Sequence, residues 1–413
     1  MREMKDSGVE WIGEIPNNWN ICRLKNYAFI MNGADYKDIQ DDSGVYPVIG
    51  SGGEFDRATK YLYEGESVLL GRKGTIDKPR YINGAFWTVD TMYYTKIKDI
   101  GIAKYLYYLC TQIQFDFYQY GSAVPSMTQR DLNSVCFPLP GISEQRRIAD
   151  YLDAKCSQID AIIEKQQTII EKLKEYKLSV ITEVVTKGLN ANAEMKDSGV
   201  EWLGKYPAHW QYLSFKNVLL ERNEKNIPVK TEERLSLSID KGVTLYAEKT
   251  TNLDRFKEDV SQYKLAHEGD LVLNSMNMIV GAVGVSEYFG CVSPAYYTYY
   301  DTEEDHITTK YCEYLLRCKT MRKVLYSLGK GIMSIDRGDD KINTCRLKVS
   351  RNDLRALKIP VPPVEEQRDI VKYLFHKEQI IDKTISDREY AIAKLQEYKK
   401  SLIFEVVTGK KEV

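Results

Sequence analysis

The stretch that decides the fold is Glu144–Val185, EQRRIADYLDAKCSQIDAIIEKQQTIIEKLKEYKLSVITEVV, because the chain contains a second copy of it. The second copy, Glu366–Val407, begins 222 residues later. When the two are aligned without a gap from Pro140 and Pro362, 23 of 49 positions are identical. Agreement over this length does not arise by chance, so the segment is duplicated.

Each copy is predicted to form one long helix with a broad apolar stripe. Neither copy contains an internal Gly or Pro, each follows a proline-rich turn, and the two end at Thr186-Lys187-Gly188 and Thr408-Gly409-Lys410. The apolar residues recur at intervals of three, four and seven, as helical packing requires. They are Ile159, Ile163, Ile170, Leu173, Tyr176 and Val180 in the first copy, and Ile381, Ile385, Ile392, Leu395, Tyr398 and Leu402 in the second.

The short connection after the first helix predicts that the helices pair antiparallel within the chain. About 42 residues at a rise of ~1.5 Å make a rod of roughly 60 Å. The segment 188–194, which leads to the next recognisable motif, reaches at most ~25 Å when fully extended. A parallel pair would require the chain to return along the whole rod first, so we expect an antiparallel coiled coil.

A second repeat precedes each helix. Met4–Trp11, MKDSGVEW, recurs as Met195–Trp202, and in both cases Gly, Pro and Trp follow at the same spacing. The chain is therefore a tandem duplication whose frame is repeated and whose inserts differ. The predicted divisions are a repeat segment at 1–19, an insert at 20–140, a helix at 141–190, a repeat segment with the second insert at 191–361, and a helix at 362–413.

Each insert combines short strand-like runs with a helix, which predicts two small α/β domains. In the first insert the strands are expected at 45–49, 66–70, 85–89 and 92–95, with a helix at 103–118. In the second they are expected at 271–273, 279–285 and 295–300, with a helix at 310–325. The fold class is α+β.

The composition describes a neutral chain without a membrane segment. Lys and Arg number 58 against 59 Asp and Glu, and no apolar run approaches ~18 residues. The eight cysteines contain no CxxC pair and the four histidines are isolated, which argues against a disulfide framework or a zinc site. Unpaired thiols and a polar start predict a cytoplasmic protein.

Two local charge concentrations stand out from this neutral background. The segment Gly71–Arg80 carries four basic residues and one acid on a turn between strands, and it lacks the pattern of a phosphate loop. Between Lys319 and Lys358 there are eleven basic and four acidic residues. Either segment is compatible with a solvated face, and a local excess this large is also the footprint of a polyanion contact.

Motifs of self-contained catalysis are missing from the sequence. There is no GxGxxG opening a helix, no Asn-Pro-Pro-aromatic tetrapeptide of amino-methyltransferases, no HExxH and no GxSxG. The carboxylates at 301–305 are typical of a solvated turn. The chain is therefore predicted to be non-catalytic by itself.

Over nearly its full length the sequence resembles the specificity subunit of type I restriction–modification systems. The frame carries the resemblance through Pro-Leu-Pro, Glu-Gln-Arg-Arg-Ile and Tyr-Leu within 138–152, the twin of this pattern at 360–374, and the segments 5–19 and 196–210. Within the inserts, Gly121–Met127 and Asn274–Asn277 with Val292–Tyr296 are similar to segments of that family's target-recognition domains.

The resemblance implies two target-recognition domains, each reading one half of a bipartite duplex DNA target, on an antiparallel coiled coil with pseudo-two-fold symmetry. Two methyltransferase subunits would dock on the helices, and restriction subunits would complete the complex. No cofactor is expected on this chain; S-adenosylmethionine, ATP and Mg²⁺ would be held by the partner subunits.

These considerations predict DNA contacts in both inserts, since basic side chains hold phosphates and Asn pairs bidentately with adenine. In the first insert they are Arg72, Lys73, Lys78, Arg80, Ser126, Gln129 and Arg130. In the second, Arg322, Lys323, Lys330, Arg337, Lys341 and Arg346 are predicted to hold phosphates, and Asn274, Ser275 and Asn277 to reach base edges.

A rival interpretation is a two-domain scaffold whose inserts bind proteins and whose helices space them apart. It explains the duplication equally well, and it leaves both basic segments unexplained. In the DNA-binding interpretation the helices act as a ruler. Four residues inserted after Val184 are then expected to lengthen the spacer between half-sites by one or two base pairs.

Overall fold

The predicted long helices are both present, from Ile142 to Lys187 and from Val364 to Val407. The structure, a computed structural model, describes residues 2–117, 124–249, 259–302, 305–332 and 346–413, without the side chains of Lys249, Ile332 and Arg346. The chain forms two compact units. Unit 1 comprises 1–167 with 388–413, and unit 2 comprises 168–387, so both helices continue from one unit into the other.

Unit 1 is built around a mixed β-sheet. Its sheet has the strand order β4-β9-β7-β8-β5-β6, in which β5 and β8 are parallel and the other neighbours antiparallel. The elements that begin within its described part are β1 Met4–Asp6, β2 Glu14–Pro16, β3 Asn20–Arg23, α1 Leu24–Tyr27, β4 Ala28–Asn32, β5 Tyr46–Gly50, β6 Gly53–Ala58, β7 Tyr63–Gly71, β8 Arg80–Thr88, β9 Met92–Ile97, α2 Ala103–Cys110, α3 Gln129–Ser134, β10 Cys136–Leu139 and α4 Ile142–Lys187.

Unit 2 contains a smaller antiparallel sheet with the order β14-β21-β18-β19, together with two-stranded ribbons. The elements that begin within its described part are β11 Met195–Asp197, β12 Lys205–Pro207, β13 Gln211–Ser214, β14 Leu220–Arg222, β15 Leu235–Ser238, β16 Gly242–Leu245, α5 Tyr246–Lys249, β17 Lys264–Ala266, β18 Leu271–Asn274, β19 Val283–Val285, β20 Gly290–Val292, β21 Tyr296–Tyr300, α6 Ile307–Arg317, α7 Lys319–Leu328, β22 Gly329–Ile332, β23 Arg346–Val349, α8 Arg351–Ala356, β24 Lys358–Val361 and α9 Val364–Val407.

The helices pair antiparallel within each unit, which confirms the predicted direction. In unit 1, Lys399 bonds Asp160 at 2.7 Å and Arg388 donates to Gln166, so positions rise along α4 as they fall along α9. The same order holds in unit 2. There Lys177 pairs with Asp382 at 2.8 Å, while Gly188 lies beside Glu366. Most of the predicted apolar positions pack in these pairs or against the inserts, but Tyr176 and Tyr398 are about half exposed, so the stripe prediction is wrong at these two positions.

Equivalent tryptophans anchor the repeat segments to the helices in the two units. Trp19 is 1% exposed, and its indole N–H donates to Glu144 Oε2 at 3.0 Å. In unit 2 the equivalent Trp210 donates to Glu366 Oε2 at 2.9 Å. A buried indole N–H needs an acceptor, and the duplicated glutamate supplies it. The sequence repeat is thus a repeat of specific hydrogen bonds.

A buried tyrosine joins three parts of each unit in the same way. The Tyr105 hydroxyl lies 3.0 Å from the Pro138 carbonyl and 3.3 Å from that of Val407. Its counterpart Tyr311 lies 3.0 Å from the carbonyls of both Pro360 and Val185. Each tyrosine therefore ties the insert to the start of one long helix and the end of the other.

Three predicted elements differ from the structure. The helix expected at 103–118 ends at Cys110, and the one expected at 310–325 is divided into α6 and α7 at Cys318, whose extended backbone breaks the hydrogen-bonding pattern. The run expected as a strand at 279–285 begins with a 3₁₀ turn and becomes a strand only after Gly281, which has φ +99°. Apolar content alone does not separate a strand from a buried turn.

Candidate nucleic-acid interface

The basic loop of unit 1 lies between β7 and β8, as predicted, and packs against a distant segment. Lys73 forms an isolated antiparallel bridge with Ser126. The N–H of Gly74 donates to the Pro125 carbonyl at 2.9 Å, and the N–H of Met127 donates to the Arg72 carbonyl at 3.0 Å. The structure thus brings the predicted residues Arg72, Lys73 and Ser126 onto one surface. The neighbouring residues 121–123 lie outside the described ranges.

The charges of this loop point to solvent. Lys73 and Lys78 are exposed, and within the described residues neither takes part in an ion pair. Arg72 donates to the Asp90 carbonyl at 3.3 Å, which leaves its charge without a carboxylate partner among those residues. Unneutralised cations on a loop suit phosphate contact, because they replace the counterions condensed on DNA, which are then released into the solvent.

Arg80, the last basic residue of this segment, contacts the protein's own backbone. Its Nη2 donates to the Gly52 carbonyl at 3.2 Å, and a Cβ added to Gly53, at φ +126°, would lie 3.2 Å from the guanidinium. Arg80 therefore holds the tip of the β5–β6 hairpin against the loop. Arg80 thus has a positioning role in the free protein, and its contact with DNA stays a prediction.

The hairpin tip that Arg80 holds is part of the same surface and was missed in the sequence analysis. A Cβ on Gly74 would lie 3.0 Å from the Ser51 hydroxyl, so the loop and the tip are in direct contact. The signal was the run Gly50-Ser51-Gly52-Gly53 between two strand-like segments, which is typical of a tight turn that another group approaches closely.

Two of the predicted DNA contacts, Gln129 and Arg130, begin helix α3 and have different surroundings. Gln129 directs its amide to the Ile30 carbonyl inside unit 1, so this amide is engaged with the backbone. Arg130 is exposed and lines a shallow cleft of about 480 Å³ together with Arg23 and Lys25. The cleft that contains the predicted Arg130 therefore also contains two cations that the sequence did not predict as DNA contacts.

In unit 2 the predicted base-reading residues form a turn after β18. The Asn274 side-chain oxygen accepts the N–H groups of Met276 at 3.0 Å and Asn277 at 3.3 Å. Met276 and Asn277 are exposed at this turn. Ser275 is fully buried, so the prediction that it reaches a base is corrected. The turn is fixed by Asn274 and presents Asn277 to solvent.

A buried cation lies behind this turn. Lys264 is 8% exposed and donates to the carbonyl of Tyr296, the residue opposite Asn274 in the sheet. Burial, and to a lesser degree the charge of Arg351, lowers the pKa of Lys264. The lysine contacts β21, the strand that pairs with β18 at the start of the turn, and its position could not be inferred from the sequence because no pattern marks it.

The long basic stretch divides into paired and unpaired cations. Lys330 bonds Asp353 at 3.0 Å, while Arg351 and Arg355 share Glu221. On α7 the side chains of Arg322 and Lys323 form no ion pair with any described residue, and Arg322 approaches the Ile279 carbonyl at 3.5 Å. The predicted Arg337 and Lys341 lie outside the described residues, as does the side chain of Arg346.

Within the described ranges no three His, Cys, Asp or Glu side chains converge as metal ligands. Burial raises the pKa of the Cys110 and Cys312 thiols, which keeps them protonated and unreactive. No helix in the described part of the chain is long and apolar enough to span a bilayer.

Comparison with known proteins connects this architecture to a family. A model of the type I restriction modification DNA specificity domain matches residues 16–176. The chain is 19% identical to the Escherichia coli type I restriction enzyme EcoDI specificity subunit over 96% of this chain and 89% of that protein. It is 22% identical to the MjaVIII specificity subunit of Methanocaldococcus jannaschii, over 96% of this chain and 93% of that protein.

Solved structures share the fold. A chain from a structure that describes complex assembly and conformational transition of the type I R-M system matches with a TM-score of 0.67 at 15% identity, covering 96% of this chain and 99% of that one. The HsdS subunit from Thermoanaerobacter tengcongensis matches with a TM-score of 0.50 at 14% identity, covering 96% and 98%. The chain thus contains a match to the type I restriction modification DNA specificity domain at 16–176, and it is similar over nearly its full length to specificity subunits of type I restriction enzymes.

Proposed function

We propose that each unit of this chain reads one half of a bipartite duplex DNA target, and that the chain itself is not catalytic. The observation that carries the proposal is a repeated frame that bears two different inserts, each with cations left unpaired among the described residues. A repeated frame with different inserts gives an asymmetric target, because each half-site is read by different side chains.

The proposal includes two methyltransferase subunits docked on the long helices. A duplicated frame offers the same kind of surface twice, which suits two copies of one partner. Exposed apolar side chains on the helices support this: Ile162, Tyr390 and Tyr398 in unit 1, and Tyr176, Phe375 and Ile380 in unit 2. Methyl transfer from S-adenosylmethionine and ATP- and Mg²⁺-dependent cleavage would belong to these and to restriction subunits, acting on DNA in the cytoplasm.

Removing the charges of the unit 1 loop tests DNA binding. In the variant Arg72→Gln, Lys73→Gln, Lys78→Gln, we expect duplex affinity to fall about tenfold, with the salt slope lowered by about 0.9 for each phosphate that is no longer neutralised. Arg80 stays unchanged because it positions the hairpin tip. Fluorescence anisotropy at several salt concentrations measures binding to a duplex that contains the sequence methylated by the complex. The methyltransferase subunits are present in the assay.

The matched control removes three exposed lysines of α4 that have no partner within the described residues, Lys155, Lys165 and Lys172. It has the same change of charge, and its affinity is expected to stay within about twofold. Equal decreases in affinity in the two variants would mean that only net charge matters. Unchanged binding by the loop variant would remove the loop from the interface, and absence of salt-dependent duplex binding by the unsubstituted complex would favour the protein-binding scaffold.

A further inference from the structure

A cleft of about 1130 Å³ in unit 2 lies between the end of helix α4 and helix α7. Helix α4 supplies Thr182 and Lys187 to its wall, and α7 supplies its first two turns. The half-buried Trp202 of the repeat segment also lines it. The cleft therefore joins the frame to the insert within this unit.

Cations dominate the walls of this cleft. Lys187, Lys319, Arg322 and Lys323 line it, against two exposed carboxylates, Glu175 and Glu183. Across the described part of the chain, none of the four cations forms an ion pair. The N-terminus of the ten-residue helix α7 adds its partial positive charge to the same wall. Four uncompensated cations around one concavity favour an anionic ligand.

The equivalent cleft of unit 1 shows that the frame does not require this charge. In the repeat, Trp11 is equivalent to Trp202 of the unit 2 cleft. Glu397 is equivalent to Glu175, and Ser401 is equivalent to Ser179. This cleft has a volume of about 720 Å³, and among the described residues it is lined by one cation, Lys400, against the carboxylates of Asp77, Asp116 and Glu397. The same architecture thus carries opposite charge in the two units.

We propose that the unit 2 cleft binds backbone phosphates of duplex DNA, so that the spacer helix contributes to DNA binding through Lys187. The inference rests on the proposed function. DNA is favoured over an acidic protein segment because the cleft adjoins the candidate base-reading turn. Asn277 caps the 3₁₀ turn Met278–Val280, and Ile279 of that turn lines the cleft. Arg322 of α7 approaches the Ile279 carbonyl. A duplex engaged at Asn277 would bring its backbone to α7.

Two variants with opposite expected effects test the proposal in the full chain with its methyltransferase subunits. In Lys187→Gln, Lys319→Gln, Lys323→Gln, affinity for a duplex of about 30 base pairs is expected to fall three- to tenfold, with a salt slope lower by about two to three. In Glu175→Gln, Glu183→Gln, affinity for the same duplex is expected to rise two- to threefold, because repulsion of phosphate is removed. Lys172→Gln, an exposed lysine of the same helix outside the cleft, is the control.

Polyglutamate serves as the probe for the rival ligand. Unchanged duplex affinity in the lysine variant, or a decrease in polyglutamate binding alone, would overturn the phosphate site and leave an acidic protein segment as the occupant. All the substituted side chains are exposed, and circular dichroism confirms that each variant is folded before binding is measured. A lysine variant that binds duplex normally while the unit 1 loop variant does not would overturn the phosphate cleft and keep the proposed function.

Discussion

Insertion of four residues into each long helix, after Gln167 in α4 and after Asp387 in α9, is expected to move methylation to a target whose half-sites lie one or two base pairs further apart. Each helix is continuous across these positions, where the chain passes between the units. Four residues add about 6 Å and roughly one helical turn, so the apolar stripes keep their faces. A base pair rises ~3.4 Å.

The position of the insertion follows from the contacts within each unit. An insertion after Val184 would separate the paired part of α4 from Val185 and Gly188, which anchor the helix end at Tyr311 and Trp210. Insertions at the two boundary positions leave these anchors unchanged. They also preserve the bonds from Lys399 to Asp160 in unit 1 and from Lys177 to Asp382 in unit 2.

Methylome sequencing of cells that contain the variant and the methyltransferase subunits measures the result. Methylation at the original spacing should fall at least tenfold, with the same half-site bases at the new spacing. An insertion in α4 alone is the control, because it shifts that helix by about a turn against α9 and should reduce assembly. Full methylation at the original spacing, or different half-site bases, would show that the helices do not set the distance.

Gly409→Ala is expected to destabilise unit 1 by about 2–4 kcal/mol, through the sum of two costs. Gly409 follows α9 with φ +74°, a conformation that L-residues adopt only with strain. An added Cβ would lie 2.5 Å from Pro16 Cδ and 3.0 Å from the indole of Trp19. Trp19 is buried and bonded to Glu144, so it cannot move aside without breaking that hydrogen bond.

The control Gly199→Ala has the cost of backbone strain without the cost of a steric clash. Gly199 has a similar φ of +72°, and nothing lies within 4 Å of an added Cβ, so about 1 kcal/mol of backbone strain is expected. Hydrogen–deuterium exchange of peptides from each unit locates the effect, with faster exchange expected in unit 1 for Gly409→Ala. Equal destabilisation by the two substitutions would mean that close packing of the helix end on the repeat segment contributes little.

The sequence by itself determined the frame of this protein. The ends of both long helices lie within two residues of the ends of the repeated segments Glu144–Val185 and Glu366–Val407, because an uninterrupted apolar period and the flanking turn residues act locally. Their antiparallel direction followed from the short chain between the first helix and the next repeat. The sequence repeat also contains the duplicated glutamates, Glu144 and Glu366, but only the structure pairs them with Trp19 and Trp210.

Only the tertiary structure decided which side chains of the inserts can meet a ligand. Sequence grouped Arg80 with Lys73 and Lys78, but Arg80 is used to hold the hairpin tip, and Ser275 is buried beside exposed Asn277. Whether a side chain is exposed to a ligand depends on its contacts with chain segments that are distant in sequence. No local sequence pattern determines which distant segments these are. The same reason applies to the bridge between Lys73 and Ser126 and to the cleft that Lys187 and α7 line together. Both are formed by segments that are distant in sequence.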